Sequence, residues 1–212
     1  MEQQQQLLVE WRAIQGQRCL RDEPHRILPY LYLCSYRCFR EPQQRIAEQG
    51  FTHGLSVGGP IPQEVKSLLQ GCKELEGLDD RPEEDLYSHF EACYQWMEQV
   101  RQSGGKLIVN CYEGTSRSAT IVIAYLMKKE QIRMEEAMRR VVDIRPIVNP
   151  NRGFRQQLQK WEQAVFCPAT GGVFSLKNKR KKPTSSHQTA STSSATDCVA
   201  SPTTSTQAVS QY

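Results

Sequence analysis

Cys111 and Arg117 stand six positions apart in Asn110-Cys-Tyr-Glu-Gly-Thr-Ser-Arg-Ser118, with Gly114 between them and Ser118 directly after the arginine. A thiolate can attack phosphorus. A guanidinium offers a planar fork that holds two non-bridging oxygens and follows charge into the transition state, which a lysine cannot match. The thiolate is the reactive form of cysteine, and a helix N-terminus or a nearby arginine stabilises it. Gly114 lets the backbone curl toward a ligand with no side chain in the way. Ser118 is placed to hydrogen-bond the sulfur and help it leave a thiophosphate intermediate. These residues read as a phosphate cradle formed by Tyr112, Glu113, Gly114, Thr115, Ser116 and Arg117, with Cys111 as nucleophile at its base.

The flanking elements have to position that loop. Lys106 to Asn110 is a short apolar run after Gly104-Gly105 that suits a buried strand, while Ala119 to Met127 suits a helix buried nearly all round. Cys111 to Arg117 is then a strand-to-helix turn. In an open α/β sheet such a turn lies at the carboxyl ends of the strands, where anions meet unpaired N–H groups and the positive end of a helix dipole. Spacing alone would say little, since the chain has 8 Cys and 17 Arg, and Cys34 with Arg40 supplies a second match. That copy has the glycine-free spacer Ser-Tyr-Arg-Cys-Phe and runs into Glu41-Pro42, so it reads as coincidence.

A phosphoryl transfer of this kind needs a general acid for the departing oxygen. Leu78-Asp-Asp-Arg-Pro-Glu-Glu-Asp-Leu86 supplies candidates about thirty residues upstream. Pro82 and the acidic cluster predict an exposed loop over Asp79 to Glu84 after a strand around Lys73 to Leu78, and Asp85 can cap the next helix. Either Asp79 or Asp80 is then free for chemistry, and the residue types do not choose between them.

With these pieces in place, Cys111-x-x-Gly114-x-x-Arg117-Ser118 resembles the signature of the cysteine-dependent dual-specificity protein phosphatases, in the small atypical form that has a catalytic domain only. The likeness runs from about Ile27 to Trp161. Ile27 to Ser35 is similar to the family's opening strand, with Cys34 where a glycine is usual. Asp80, followed by Asp85-Leu86, matches the general-acid loop, so the resemblance carries the acid role to Asp80 rather than Asp79. Arg145-Pro146 and then Pro150-Asn-Arg-Gly-Phe154, with Gln157-Leu158, resemble the start of the family's last helix. The resemblance also implies a protein-tyrosine-phosphatase-like fold, phosphoprotein substrates and no cofactor or metal.

Asn110 departs from the family, which usually has His before the cysteine. Asparagine can hydrogen-bond the loop and shape it but carries no charge, which implies the same mechanism with a less activated thiol. Glu113 would oppose both thiolate and phosphate, and the expectation is that it points outward.

The 212 residues suffice for one α/β domain with tails. Alternating strands at Ile27 to Leu33, Phe51 to Val57, Lys73 to Leu78 and Leu107 to Asn110, with helical segments near Pro42 to Gln49 and Gln63 to Gln70, predict a single central mixed sheet flanked by helices. Leu86, Phe90, Cys93, Tyr94, Met97 and Val100 share one helical face, which makes His89 a helix residue with no catalytic part. Met134, Ala137, Met138, Val141 and Val142 share another until Pro146, and Phe154, Leu158, Trp161 and Val165 form the last. The expected divisions are a weakly packed lead-in over 1–25, the catalytic domain over 26–167 and a tail over 168–212.

Net charge is +4, yet residues 1–176 hold 22 basic and 22 acidic residues, so the excess lies in the tail, where five of the six residues Lys177 to Lys182 are basic. A balanced domain argues against a nucleic-acid-binding face. The basic cluster reads as a solvated boundary, a nuclear-import address or an anionic-surface contact, and residues 183–212, half Ser and Thr, lack the apolar content to order themselves and offer kinase targets. No run approaches the roughly 20 apolar residues of a membrane span, and the Met-Glu-Gln-Gln-Gln-Gln start is unlike a secretory leader. Cysteines without framework spacing fit reduced thiols, and Cys34-x3-Cys38 with His25 or His53 is an incomplete zinc set. The expectation is a soluble, cytoplasmic protein, with nuclear import as a second address. Its oligomeric state is not legible.

The function so read is hydrolysis of phosphotyrosine and phosphoserine/threonine through a cysteinyl-phosphate intermediate. The alternative is a low-activity pseudophosphatase serving as a phosphoprotein-binding module, which Asn110 and Glu113 would favour. Phosphatases of RNA ends or phosphoinositides tend to carry extra lysines in the loop, and Tyr112-Glu113 and Thr115-Ser116 have none.

Overall fold

Pro29 shapes the start of the fold: it has no N–H to donate to a ladder, and the chain turns there instead of continuing as the one strand expected over Ile27 to Leu33. In a computed structural model, which describes residues 23–39 and 44–167, this region is a hairpin of β1 (His25–Leu28) and β2 (Leu31–Ser35). The two pair antiparallel, His25 opposite Leu33, with an irregularity between Arg26 and Leu28. A 3-10 turn, Tyr36–Phe39, follows. The basic and Ser/Thr-rich readings of the tail and most of the lead-in lie outside the described residues.

The remaining strands are β3 (His53–Val57), β4 (Gly71–Leu75) and β5 (Leu107–Cys111), and the helices are α1 (Gln44–Glu48), α2 (Gln63–Lys66), α3 (Tyr87–Gln102), α4 (Arg117–Glu130), α5 (Met134–Ile144) and α6 (Arg152–Phe166). Strand order is β1-β2-β5-β3-β4, parallel except for the first pair, which is the mixed sheet flanked by helices that the alternation predicted. β4 begins and ends earlier than Lys73 to Leu78, because Gly77 takes a left-handed φ of 71° and turns the chain away. α2 is a single turn rather than the longer helix expected to Gln70.

β5 lies mid-sheet, and all five of its residues are buried. Side chains alternate faces along it. Leu107, Val109 and Cys111 join the large core made with α3, α4, α5 and α6, while Ile108 joins a second cluster with Cys34, Phe51, Ile61 and Val65. Ten consecutive residues of α4, Ser118 to Met127, are buried, because the sheet lies on one side and α3, α5 and α6 surround the rest. Each Leu, Val or Ile taken from water there stabilises by about 1.5–3 kcal/mol. The α3 face expected from periodicity is the buried one, with Phe90, Cys93, Met97 and Val100 inside and Tyr94 partly covered. Asp85 accepts the Ser88 amide at 3.1 Å and so caps the first turn, as expected.

Candidate active site

Cys111 ends β5 and Arg117 begins α4, so the loop between them is a strand-to-helix turn at the carboxyl end of the central strand. The first N–H groups of α4 have no carbonyl four residues back within the helix. Two donors converge on the Cys111 sulfur: the Gly114 amide at 3.2 Å and the Ser118 hydroxyl at 3.1 Å. The turn that aims the Gly114 amide requires φ of 68°, and a Cβ there would collide with the Cys34 carbonyl and the Arg145 guanidinium. Only glycine fits.

Arg145 holds the loop from behind. It directly follows α5 and is fully buried, donating from Nε to the Gly114 carbonyl at 2.9 Å and from Nη2 to the Glu113 carbonyl at 3.2 Å. With those carbonyls drawn outward, the Gly114 amide turns inward to the sulfur. Nη1 of Arg145 lies 2.8 Å from Nδ1 of His25. Burial and then the Arg145 charge hold the His25 imidazole below its usual pKa.

Arg117 reaches back across the sheet edge, donating from Nη1 to the Leu78 carbonyl at 2.8 Å. Gly58, at φ of 94°, leaves the passage open, since a Cβ there would overlap Nη1. Nε of Arg117 is buried without a hydrogen-bond partner and faces Asp80 Oδ2 at 4.0 Å. It is a donor directed at the space between the loop and Asp80.

Of the two aspartates the residue types left open, Asp79 pairs at 3.5 Å with exposed Arg81, while Asp80 turns to the loop. Oδ1 of Asp80 accepts from the Ser116 hydroxyl at 2.7 Å and from Nδ2 of Asn151 at 2.9 Å. The Asn151 amide donates in turn to Ser116 Oγ at 3.2 Å, and its side-chain oxygen caps α6 by accepting from Phe154 N at 3.0 Å. Ser116, expected among the phosphate-binding residues, thus spends its hydroxyl on Asp80. α6 fixes the acid loop at two further points. Gly153 packs so closely under the Pro82 carbonyl that a Cβ would collide with it. Gln157 accepts from the Leu86 and Tyr87 amides at 2.9 and 2.8 Å and donates to the Glu84 carbonyl at 2.7 Å.

Three expected cradle residues behave differently from one another. Tyr112 is 65% exposed, so only its backbone belongs to the loop, with its carbonyl accepting from Tyr36 N at 3.2 Å. Glu113 does point outward, its half-buried carboxylate 3.8 Å from Arg37. Thr115 is partly buried and its carbonyl accepts from Asn149 N at 2.8 Å.

Asn110 requires a correction. Its side chain was expected to hydrogen-bond the loop, but alternation along β5 sends it to the sheet face opposite Cys111. There it is fully buried and donates to Ser56 Oγ on β3 at 3.2 Å, its own oxygen unpartnered. Asn151, Gly58 and Gly153 went unread in the sequence as site residues. The signal for Asn151 was available, an Asn before an Arg-Gly-Phe helix start, but its second bond to Asp80 joins residues 71 positions apart. Among the described residues no group of three His, Cys, Asp or Glu is placed to hold a metal.

The dual specificity phosphatase catalytic domain matches residues 31–164, and the chain belongs to that family. Mouse (Mus musculus) dual specificity protein phosphatase 15 is 36% identical over 137 residues, covering 64% of this chain and 56% of its own length. The chain thus spans little more than half of that relative. Among solved structures, human DUSP28 aligns with a TM-score of 0.60 at 32% identity over 67% of this chain and 94% of that one. A mouse putative dual specificity phosphatase complexed with zinc tungstate aligns with a TM-score of 0.62 at 30% identity over 68% and 89%.

Proposed function

We propose that the chain is a protein phosphatase that hydrolyses phosphotyrosine and phosphoserine/threonine through a cysteinyl-phosphate intermediate. The observation that carries this reading is the convergence on one loop of a sulfur held by two donors, an arginine whose buried Nε lacks a hydrogen-bond partner and faces Asp80, and a carboxylate anchored by Ser116 and Asn151. The Cys111 thiolate attacks phosphorus, the bond from phosphorus to the ester oxygen breaks, and Asp80 gives its proton to that oxygen. Water then attacks the thiophosphate, Asp80 takes its proton, the sulfur–phosphorus bond breaks and inorganic phosphate leaves. Arg117 and the loop amides hold the non-bridging oxygens in both steps. Ser118, 3.1 Å from the sulfur, stabilises it as it departs in the second.

The fold supports this reading over a binding-only module, because the two residues that favoured the latter turn away from the loop: Glu113 to Arg37 and Asn110 to Ser56. The oxyanion in the mouse relative's crystal is of the kind such a loop would take. Metal-free hydrolysis of an aryl phosphate by wild type, Cys111→Ser and Asp80→Asn tests the proposal. The serine variant is expected to lose turnover, and the asparagine variant to fall by about 10²-fold or more. Equal rates in all three would contradict it.

A further inference from the structure

A cavity of about 170 Å³ opens beside the phosphate loop. Its walls are Tyr36 from the 3-10 turn, Ser56, Val57, Gly58, Gly59 and Pro60 from the end of β3 and the loop after it, and Tyr112 from the phosphate loop; Cys111 and Asn110, whose Oδ1 lacks a hydrogen-bond partner, also line it. Glu113 to Ser118 and Asp80 take no part, so this is a side pocket and not the cradle itself. No lining residue carries an acidic or basic side chain, and most of the exposed lining is apolar. Exposed Tyr112 lines it, the only exposed aromatic among the described residues.

Size and position together define the occupant. A cavity of about 150 Å³ takes a benzene ring, whereas small-molecule ligand sites run to about 300 Å³ and more. The pocket therefore has room for one leucine- or phenylalanine-sized side chain. Because it shares Cys111 and Tyr112 with the loop, the pocket lies beside any phosphate placed over the sulfur. We propose that this pocket is a specificity subsite that receives an apolar side chain lying within two residues of the phosphoresidue in a phosphoprotein substrate, a proposal that rests on the phosphatase reading of Cys111. Gly58 and Gly59 keep the space open. Gly58 is already required by Arg117, but nothing lies within 4 Å of a Cβ at Gly59, and its φ is ordinary. Gly59 lines the pocket and has open space at its Cβ, so a larger side chain there is the variant that probes it.

The test uses phosphotyrosine peptides carrying Leu, Phe, Ala or Asp in turn at each of the four positions nearest the phosphoresidue. For wild type, Leu or Phe at one position is expected to raise kcat/KM over Ala by about tenfold, the scale of burying one such side chain, with Asp below Ala. Gly59→Leu should bring that ratio close to one while leaving hydrolysis of a small aryl phosphate within about twofold of wild type. Gly59→Ala, which needs no rearrangement, should give an intermediate ratio with unchanged thermal stability. Discrimination below about threefold at every position, or a preference that survives Gly59→Leu, overturns the subsite. Calorimetric binding of the same peptides to Cys111→Ser separates the two proposals. Absent turnover in wild type together with the Leu or Phe preference in binding would sink the phosphatase reading and keep the pocket; turnover without any preference would do the reverse.

Discussion

Asp80, the acid of the proposed mechanism, is held by two anchors. Ser116 and Asn151 both hydrogen-bond its Oδ1, and Asn151 also caps α6, so one side chain links the proposed acid to a helix start. Asn151→Ser retains a good cap but cannot reach Asp80. It is expected to melt close to wild type while kcat falls about tenfold on a substrate with a poor leaving group and less on a nitrophenyl phosphate, as loss of acid positioning requires. An equal loss on both leaving groups would speak against a positioning role. Much at this scale was legible: the Cys111-x5-Arg117-Ser118 pattern names residues whose chemistry is local to one loop, and the structure brings them together there. Asn110 is the exception, because its parity along β5, not its residue type, decides which face its side chain takes. One position along a strand moves a side chain to the other face, and the expected loop contact became a bond to Ser56. Arg145 was noticed only through resemblance, since nothing in its neighbours announces that its guanidinium reaches back to residues 113 and 114.

Among the elements, α3 and α4 are joined by charges as well as by apolar faces. Glu98 of α3 accepts from Arg101 in its own helix, from the Tyr125 hydroxyl at 2.6 Å and from Lys129 of α4 at 3.1 Å. Burial alone would raise this carboxyl, but those hydrogen bonds outweigh it and bring its pKa to about 2. A carboxylate depressed in the folded state contributes stability that is present above its unfolded value near 4.5 and is lost as pH falls toward about 2. Thermal stability is therefore expected to drop between pH 5 and about pH 2 more steeply in wild type than in Glu98→Gln, which keeps an acceptor but not the charge. Parallel melting curves for the two across that range would contradict the assignment. Helices α3, α5 and α6 were legible because a buried stripe repeats at helical period over ten or more residues, and α4 because its unbroken apolar run suits a helix buried nearly all round. The short elements were not. β1 and β2 were merged because apolar alternation runs through Pro29, and α2 was overextended because four residues carry too little pattern to set an end.

For the molecule as a whole, the family match ends at residue 164 and α6 ends at Phe166. Charge is balanced over 1–176, so those residues carry no net field of one sign. A chain ending at residue 167 is expected to keep the kcat/KM of the full chain on a small aryl phosphate and to melt at the same temperature. A loss of either would place residues 168–212 in the working domain. The six cysteines among the described residues are free thiols, so reductant should leave the melting temperature unchanged while protecting activity.

The most direct test of the central claim is to trap the covalent intermediate. Asp80→Asn mixed with nitrophenyl phosphate still permits attack, because that leaving group needs little protonation, but slows attack by water. Rapid acid quench and peptide mass analysis should then find a phosphoryl group on the peptide containing Cys111, absent in Cys111→Ser. A phosphoryl group on any other residue, or turnover in wild type with no trapped adduct in the aspartate variant, would contradict the account.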